Sequence, residues 1–178
     1  MRSVTVSLEG LLAEASELAQ AAGSLTLEWF RRSGLEIESK VDGSEVTEAD
    51  RSAERFIRDE VQRRHPSHSV IGEEEGGLFE PDNMTWIIDP IDGTRGFVRG
   101  VPLYATLLAV ADDSGPLVGV IHVPVLNSTV AAARGMGCWH DGRRCSVSTV
   151  SDLDGALVNT SSYDTFSDSA LIALKTSK

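Results

Sequence analysis

The chain has 178 residues, 41% of them hydrophobic and 24% charged, enough to bury the core of one domain or slightly more. Its formal charge of −11, with no stripe of Lys and Arg interleaved with aromatics, argues against nucleic acid or an acidic membrane as a partner. No run approaches the ~18–20 apolar residues of a membrane span, and MRSVTVSLEGLL lacks a secretory apolar segment, so the expected compartment is the cytoplasm.

Apolar residues at Leu8, Leu11, Leu12, Ala15, Leu18, Ala19, Ala22 and Leu25 predict an amphipathic helix from its N-cap, Ser7, to about Phe30. The polar stretch RRSGLEIESKVDGSE reads as loop with a short strand. Thr47 opens a second helix, TEADRSAERFIRDEVQRR, with Ala49, Ala53, Phe56, Ile57 and Val61 on its apolar face and Pro66 to stop it. TEAD fits a capping box, in which Asp50 reaches back to Thr47; a functional role for Asp50 stands beside that reading. SVIGEEEGG is a short strand ending in an acidic triplet, LFEPDNM an exposed loop, and TWIIDP a buried strand that gives way to Asp89 and Asp92.

LYATLLAVAD, PLVGVIHVP, STVAAAR and CWHDGRRCSVS follow, separated by turn signals, and predict an antiparallel meander of four or five strands. Two helices followed by consecutive strands define an α+β layered domain. ALVNTSS suggests one more strand and YDTFSDSALIALKTSK the start of a helix, so the expected division is residues 1–152 and 153–178. A two-residue turn at Asp141-Gly142 would set Cys138 opposite Cys145 on a hairpin. A thiol pair suits a reducing compartment, with a disulfide as the alternative. His65, His68, His122 and His140 show no HxxxH spacing and the cysteines no CxxC, so no zinc pattern is present.

The chemistry lies in the acidic residues at strand ends: Glu73, Glu74 and Glu75 after SVIG, Asp89 and Asp92 after TWII. A triplet of glutamates alone is ordinarily a solvated loop, and DPIDG alone can be a turn. Carboxylates converging from neighbouring strands repel one another unless a cation lies between them. Magnesium takes a few carboxylates plus phosphate oxygens, and two such ions about 3.5–4 Å apart would activate water and neutralise a leaving oxygen. Gly93 lets backbone approach a ligand, and a short helix beginning at Thr94 would aim free amides at a phosphate.

VTEAD, IGEEEGG and WIIDPIDGTRGFVRGVPLYATLLAV, in this order and spacing, resemble the inositol monophosphatase family of magnesium-dependent, lithium-sensitive phosphomonoesterases. The resemblance runs from the first helix to about TSSYD. It implies a layered sugar-phosphatase-like fold, two N-terminal helices on an antiparallel sheet with a second α/β domain, and two or three Mg²⁺ ions. Glu73 would ligate the first and any third metal, Asp89 would bridge the first two, the Ile91 carbonyl would complete the first site, and Asp92 would bind the second. The amides of Gly93 and Thr94 would hold the phosphate, with Arg95 a further substrate contact. Thr94, supported by Asp50, would help deprotonate the attacking water, so that Asp50, Thr94 and Glu73 form the implied catalytic set. The implied partners are a small phosphorylated substrate and a second copy in a homodimer.

The family also carries a metal-ligating aspartate in a WD-x-A motif. No WD pair occurs here, because Trp29, Trp86 and Trp139 are followed by Phe30, Ile87 and His140. The expectation is therefore a truncated second domain, with a catalytically inactive remnant as the alternative to an active phosphatase. TRGFVRGVP after the aspartates is more similar to the family's bacterial histidinol-phosphate phosphatases than to inositol monophosphatases, which carry TNF there. Histidinol phosphate is the expected substrate and inositol 1-phosphate the alternative.

Overall fold

Two helices lie against one face of a seven-stranded sheet in a computed structural model that describes residues 7–157, apart from 81 and 155. The first helix, α1, runs Leu8–Leu27, and Ser7 caps it by accepting the Gly10 amide at 3.1 Å. A small hairpin, β1 (Glu38–Ser39) and β2 (Glu45–Val46), precedes the second helix, α2 (Glu48–Arg64). Thr47 and Asp50 form the capping box that TEAD predicts.

The sheet comprises β3 (Ser69–Gly72), β4 (Thr85–Asp92), β5 (Ala105–Asp112), β6 (Gly115–Val123), β7 (Ser128–Ala133), β8 (Gly137–His140) and β9 (Arg143–Cys145), side by side in chain order. The five-strand meander β5–β9 is antiparallel throughout, as its closely spaced turns require. The sheet as a whole is mixed, because β3 runs parallel to β4. Residues 73–84 are long enough to bring the chain back to the starting edge, which a tight hairpin turn cannot do. A four-residue helix, α3 (Thr94–Phe97), follows β4.

Alternation along the strands separates two faces. Trp86, Ile88, Leu108, Val110, Val118 and Val120 point to the helices and are buried with Leu11, Ala15, Leu18 and Ala22 of α1 and Ala53, Ile57 and Val61 of α2. Each fully buried Leu, Ile or Val contributes about 1.5–3 kcal/mol relative to an exposed one, which anchors both helices to the sheet. The opposite face carries Ile87 and Ile121, 41% and 47% exposed. A second cluster, Ala49, Ile91, Phe97 and Tyr104 with Phe30 against it, packs beneath α3; the Phe97 and Tyr104 rings meet edge to face at 4.9 Å. The Tyr104 hydroxyl is tied to Thr26 Oγ1 at 2.8 Å.

The chain divides into two compact units, residues 1–146 and 147–178. The strand and helix expected in ALVNTSS and YDTFSDSALIALKTSK fall largely or wholly outside the described residues.

Candidate active site

Parallel pairing of β3 with β4 is what builds the acidic cluster. Two parallel strands end at the same edge, so the glutamates after β3 arrive beside the aspartates of β4; an antiparallel pair would have put them at opposite ends. The junction is direct, since the Glu73 amide donates to the Ile88 carbonyl at 3.0 Å. The sequence suggests that β4 stops before its aspartates, yet the strand continues through Asp92. Its pairing with β5 is irregular between Asp89 and Asp92, and this break turns Asp92 to solvent. Gly93 follows with φ 94°, a left-handed conformation that costs a residue with a Cβ far more, and starts α3.

The two carboxylates that meet across the β3–β4 junction are Glu73 and Asp89. Burial, then the charge and contact of Glu73, then the charge of Asp92 push the Asp89 carboxyl up to about 8. Its Oδ1 is buried and accepts no hydrogen bond. A cation is present on the other side of Glu73: Lys40, from the loop between β1 and β2, places Nζ 2.9 Å from both Glu73 Oε1 and Glu74 Oε1. Burial opposes the lysine's charge, but its bonds to Glu74 and Glu73 hold it above the usual lysine range. Glu74 is pushed up by burial, only partly offset by Lys40.

Asp50 and Thr94 form a second polar unit. Asp50 is fully buried; its Oδ2 accepts from the Thr47 amide at 2.8 Å and the Thr47 hydroxyl at 2.6 Å, and its Oδ1 accepts from Thr94 Oγ1 at 3.0 Å. Burial raises its pKa against the pull of these donors. The capping and functional readings of Asp50 thus use different oxygens of one carboxylate. Thr94 Oγ1 also lies 3.0 Å from the Ile91 carbonyl, so one hydroxyl proton faces two acceptors. The amides of Gly93 and Thr94 have no acceptor among the described residues.

Glu73, Asp89, Ile91, Asp92, Gly93, Thr94 and Arg95 line one cleft of about 430 Å³, with Ser44 and Glu45 on its rim. Arg95 is exposed there. Arg99 makes a two-pronged bond to Glu45 at 2.7 and 2.9 Å.

Glu54, a residue absent from the sequence-predicted set, holds the acidic loop. It is fully buried and accepts the amides of Glu74 at 2.8 Å and Glu75 at 3.0 Å, while Arg58 pairs with it at 2.8 Å. Gly72 makes room, because a Cβ there would sit 2.0 Å from Glu54 Oε1. The signal in the sequence is a glutamate one turn after Asp50 and next to Ala53 on the packed side of α2.

Among the described residues, no group of three or more His, Cys, Asp or Glu side chains converges closely enough to enclose a metal ion. The donors nevertheless fit a hard divalent cation. All are oxygens, the Asp89 Oδ1 is buried without a partner, and Glu73 and Asp89 crowd together in a way that a cation would relieve.

The layered α+β fold thus gathers carboxylates at the ends of two adjacent strands, beside amides with no acceptor among the described residues. The inositol monophosphatase family model matches residues 7–175, and the chain belongs to that family. It is 41% identical to a histidinol-phosphatase of Chlorobaculum parvum over 81% of this chain and 56% of that protein. A histidinol-phosphatase of Mycobacterium tuberculosis is 43% identical over 82% of this chain and 58% of its own length. The solved structure of Thermotoga maritima IMPase superposes with a TM-score of 0.72 and 37% identity, covering 78% of this chain and 54% of that one. The chain thus spans a little over half the length of the relatives it matches.

Proposed function

We propose that this protein is a magnesium-dependent phosphomonoesterase acting on a small phosphate ester, with histidinol phosphate as its substrate. The observation that carries the reading is the junction of Glu73 with Asp89 and Asp92 beside the amides of Gly93 and Thr94. Glu73, Asp89, Asp92 and the Ile91 carbonyl would hold the cation, which supplies polarisation of the phosphoryl oxygens and acidification of water.

The remaining roles belong to the chain itself. Gly93 and Thr94 direct their amides at the phosphoryl oxygens and fix their orientation. Thr94 Oγ1 is the proton carrier next to the attacking water, passing its own proton to Asp50 Oδ1 at 3.0 Å. Thr47 keeps that carboxylate from rotating, with two bonds on its other oxygen. Glu54 holds the loop that presents Glu73. Arg95, exposed on the rim, meets the organic part of the substrate or its anionic edge.

TRGFVRGVP and the two histidinol-phosphatase relatives support the substrate. We place the protein in the cytoplasm as a homodimer, the latter because Ile87 and Ile121 leave an apolar sheet face to cover. Phosphate release from histidinol phosphate and from inositol 1-phosphate, with and without magnesium, tests the proposal. Magnesium-dependent release, faster from histidinol phosphate and abolished in Asp92→Asn, is the expected result. Faster release from inositol 1-phosphate overturns the substrate, and full activity in Asp92→Asn overturns the site.

A second reading, a catalytically inactive protein, rests on Lys40, whose ammonium already bonds Glu73 and Glu74 at the acidic cluster. It predicts a folded chain with no release from either substrate and no tight calorimetric binding of magnesium with phosphate.

A further inference from the structure

Two thiols meet at the far edge of the sheet, in the hairpin of β8 and β9. Its turn, Asp141-Gly142, has φ of 49° and 76°, the left-handed pair of a two-residue turn that matches strand twist and fixes the register. His140 faces Arg143, Trp139 faces Arg144, and Cys138 faces Cys145. Counted from the turn, the first pair is hydrogen-bonded and the pairs alternate, so Cys138 and Cys145 also form a hydrogen-bonded pair. Cα atoms of such pairs stand about 5.5 Å apart, and disulfides most often join residues about 5.5–6 Å apart. Directly opposed residues also share one face of the hairpin.

Both cysteines are free and half-buried. The proximity of the Cys138 sulfur, followed by burial, pushes the Cys145 thiol up. Either sulfur can react first, with the other held beside it on the same face of the hairpin.

We propose that Cys138 and Cys145 form a reversible dithiol–disulfide site whose co-reactant is a low-molecular-weight disulfide of the glutathione class. Written with Cys138 first, its thiolate attacks one sulfur of the reagent, the reagent's S–S bond breaks, and one thiolate leaves. Cys145 then gives up its proton and attacks the Cys138 sulfur, expelling the second thiolate. Two electrons pass from the protein sulfurs to the reagent, and the two protein protons end on the two released thiols. The new bond pins β9, the last strand of the sheet, to β8.

The test uses the full chain incubated in buffers of rising oxidised-to-reduced glutathione ratio, read by intact mass and by free-thiol count after denaturation. Both thiols disappear together, the mass falls by two hydrogens with no glutathione retained, and dithiothreitol restores both. Cys138→Ser and Cys145→Ser each hold a stable glutathione adduct, because the resolving thiol is gone. A wild-type chain that keeps glutathione on either cysteine, that links to a second chain through these sulfurs, or that retains both thiols at every ratio overturns the proposal. The wild-type result decides the question even where a serine variant folds poorly.

Discussion

Asp89→Asn is expected to stabilise the cation-free protein while removing its response to magnesium. The wild-type carboxyl is carried from an ordinary 3.8 to about 8 by burial and by Glu73, and its Oδ1 has no donor. A folded-state value above the unfolded one means that the folded chain binds the extra proton. Stability is then complete below about pH 4 and is lost as pH rises toward 8. A shift of this size corresponds to on the order of 5 kcal/mol, and water reaching half-buried Asp89 screens it to about 2–3 kcal/mol. Asparagine keeps the shape and carries no charge, so the variant should melt about 5–10 °C above wild type at pH 8 in chelator. The two curves should converge near pH 4. Added magnesium should raise the wild-type melting temperature and leave the variant's nearly unchanged. Circular-dichroism melts across pH 4–8, in chelator and then in magnesium, make the comparison. A variant less stable than wild type at pH 8 in chelator, or a gap that does not change with pH, would refute the electrostatic argument.

Three further perturbations probe the neighbours. Glu54→Gln removes the charge that pairs with Arg58 and weakens the bonds to the Glu74 and Glu75 amides. Denaturant unfolding should show a loss of about 2–4 kcal/mol, since breaking a buried pair strands its partner; a loss under 0.5 kcal/mol contradicts the holding role. Lys40→Met takes away the ammonium that bonds Glu73 and Glu74, so calorimetry should find magnesium binding several-fold tighter, and weaker binding would show that the lysine supports the site. His68 accepts the Trp86 Nε1–H at 3.0 Å and stacks on His65 at 4.5 Å. Burial and then the charge of His65 lower its pKa, so its stabilising contribution is full above pH 6.5 and declines as pH falls below that value. Unfolding titrations of wild type and His68→Gln should therefore differ most in slope just below pH 6.5, and parallel slopes would exclude His68 as the cause.

What could be read along the chain divides by the range of the interaction. The Thr47–Asp50 box, the Asp141-Gly142 turn and the β5–β9 meander are set by residues a few positions apart, and spacing alone points to each. The β3–β4 pair depends on how residues 73–84 return across the sheet edge, and no local pattern of apolar residues distinguishes parallel from antiparallel pairing of two short buried strands. That one choice decides whether Glu73 reaches Asp89 at all, so the individual carboxylates were legible while their convergence was inferred from repulsion and family resemblance. Lys40 was lost in a polar stretch for the same reason: its partners lie 33 and 34 positions away. Glu54 was hidden differently. A charged residue on a helix is ordinarily assigned to the solvated side, but α2 lies over the end of β3, where two amides of the acidic loop need an acceptor. Its burial is a consequence of that need, and a glutamate adjoining the apolar stripe beside a strand-end glycine is the pattern by which such a residue can be found.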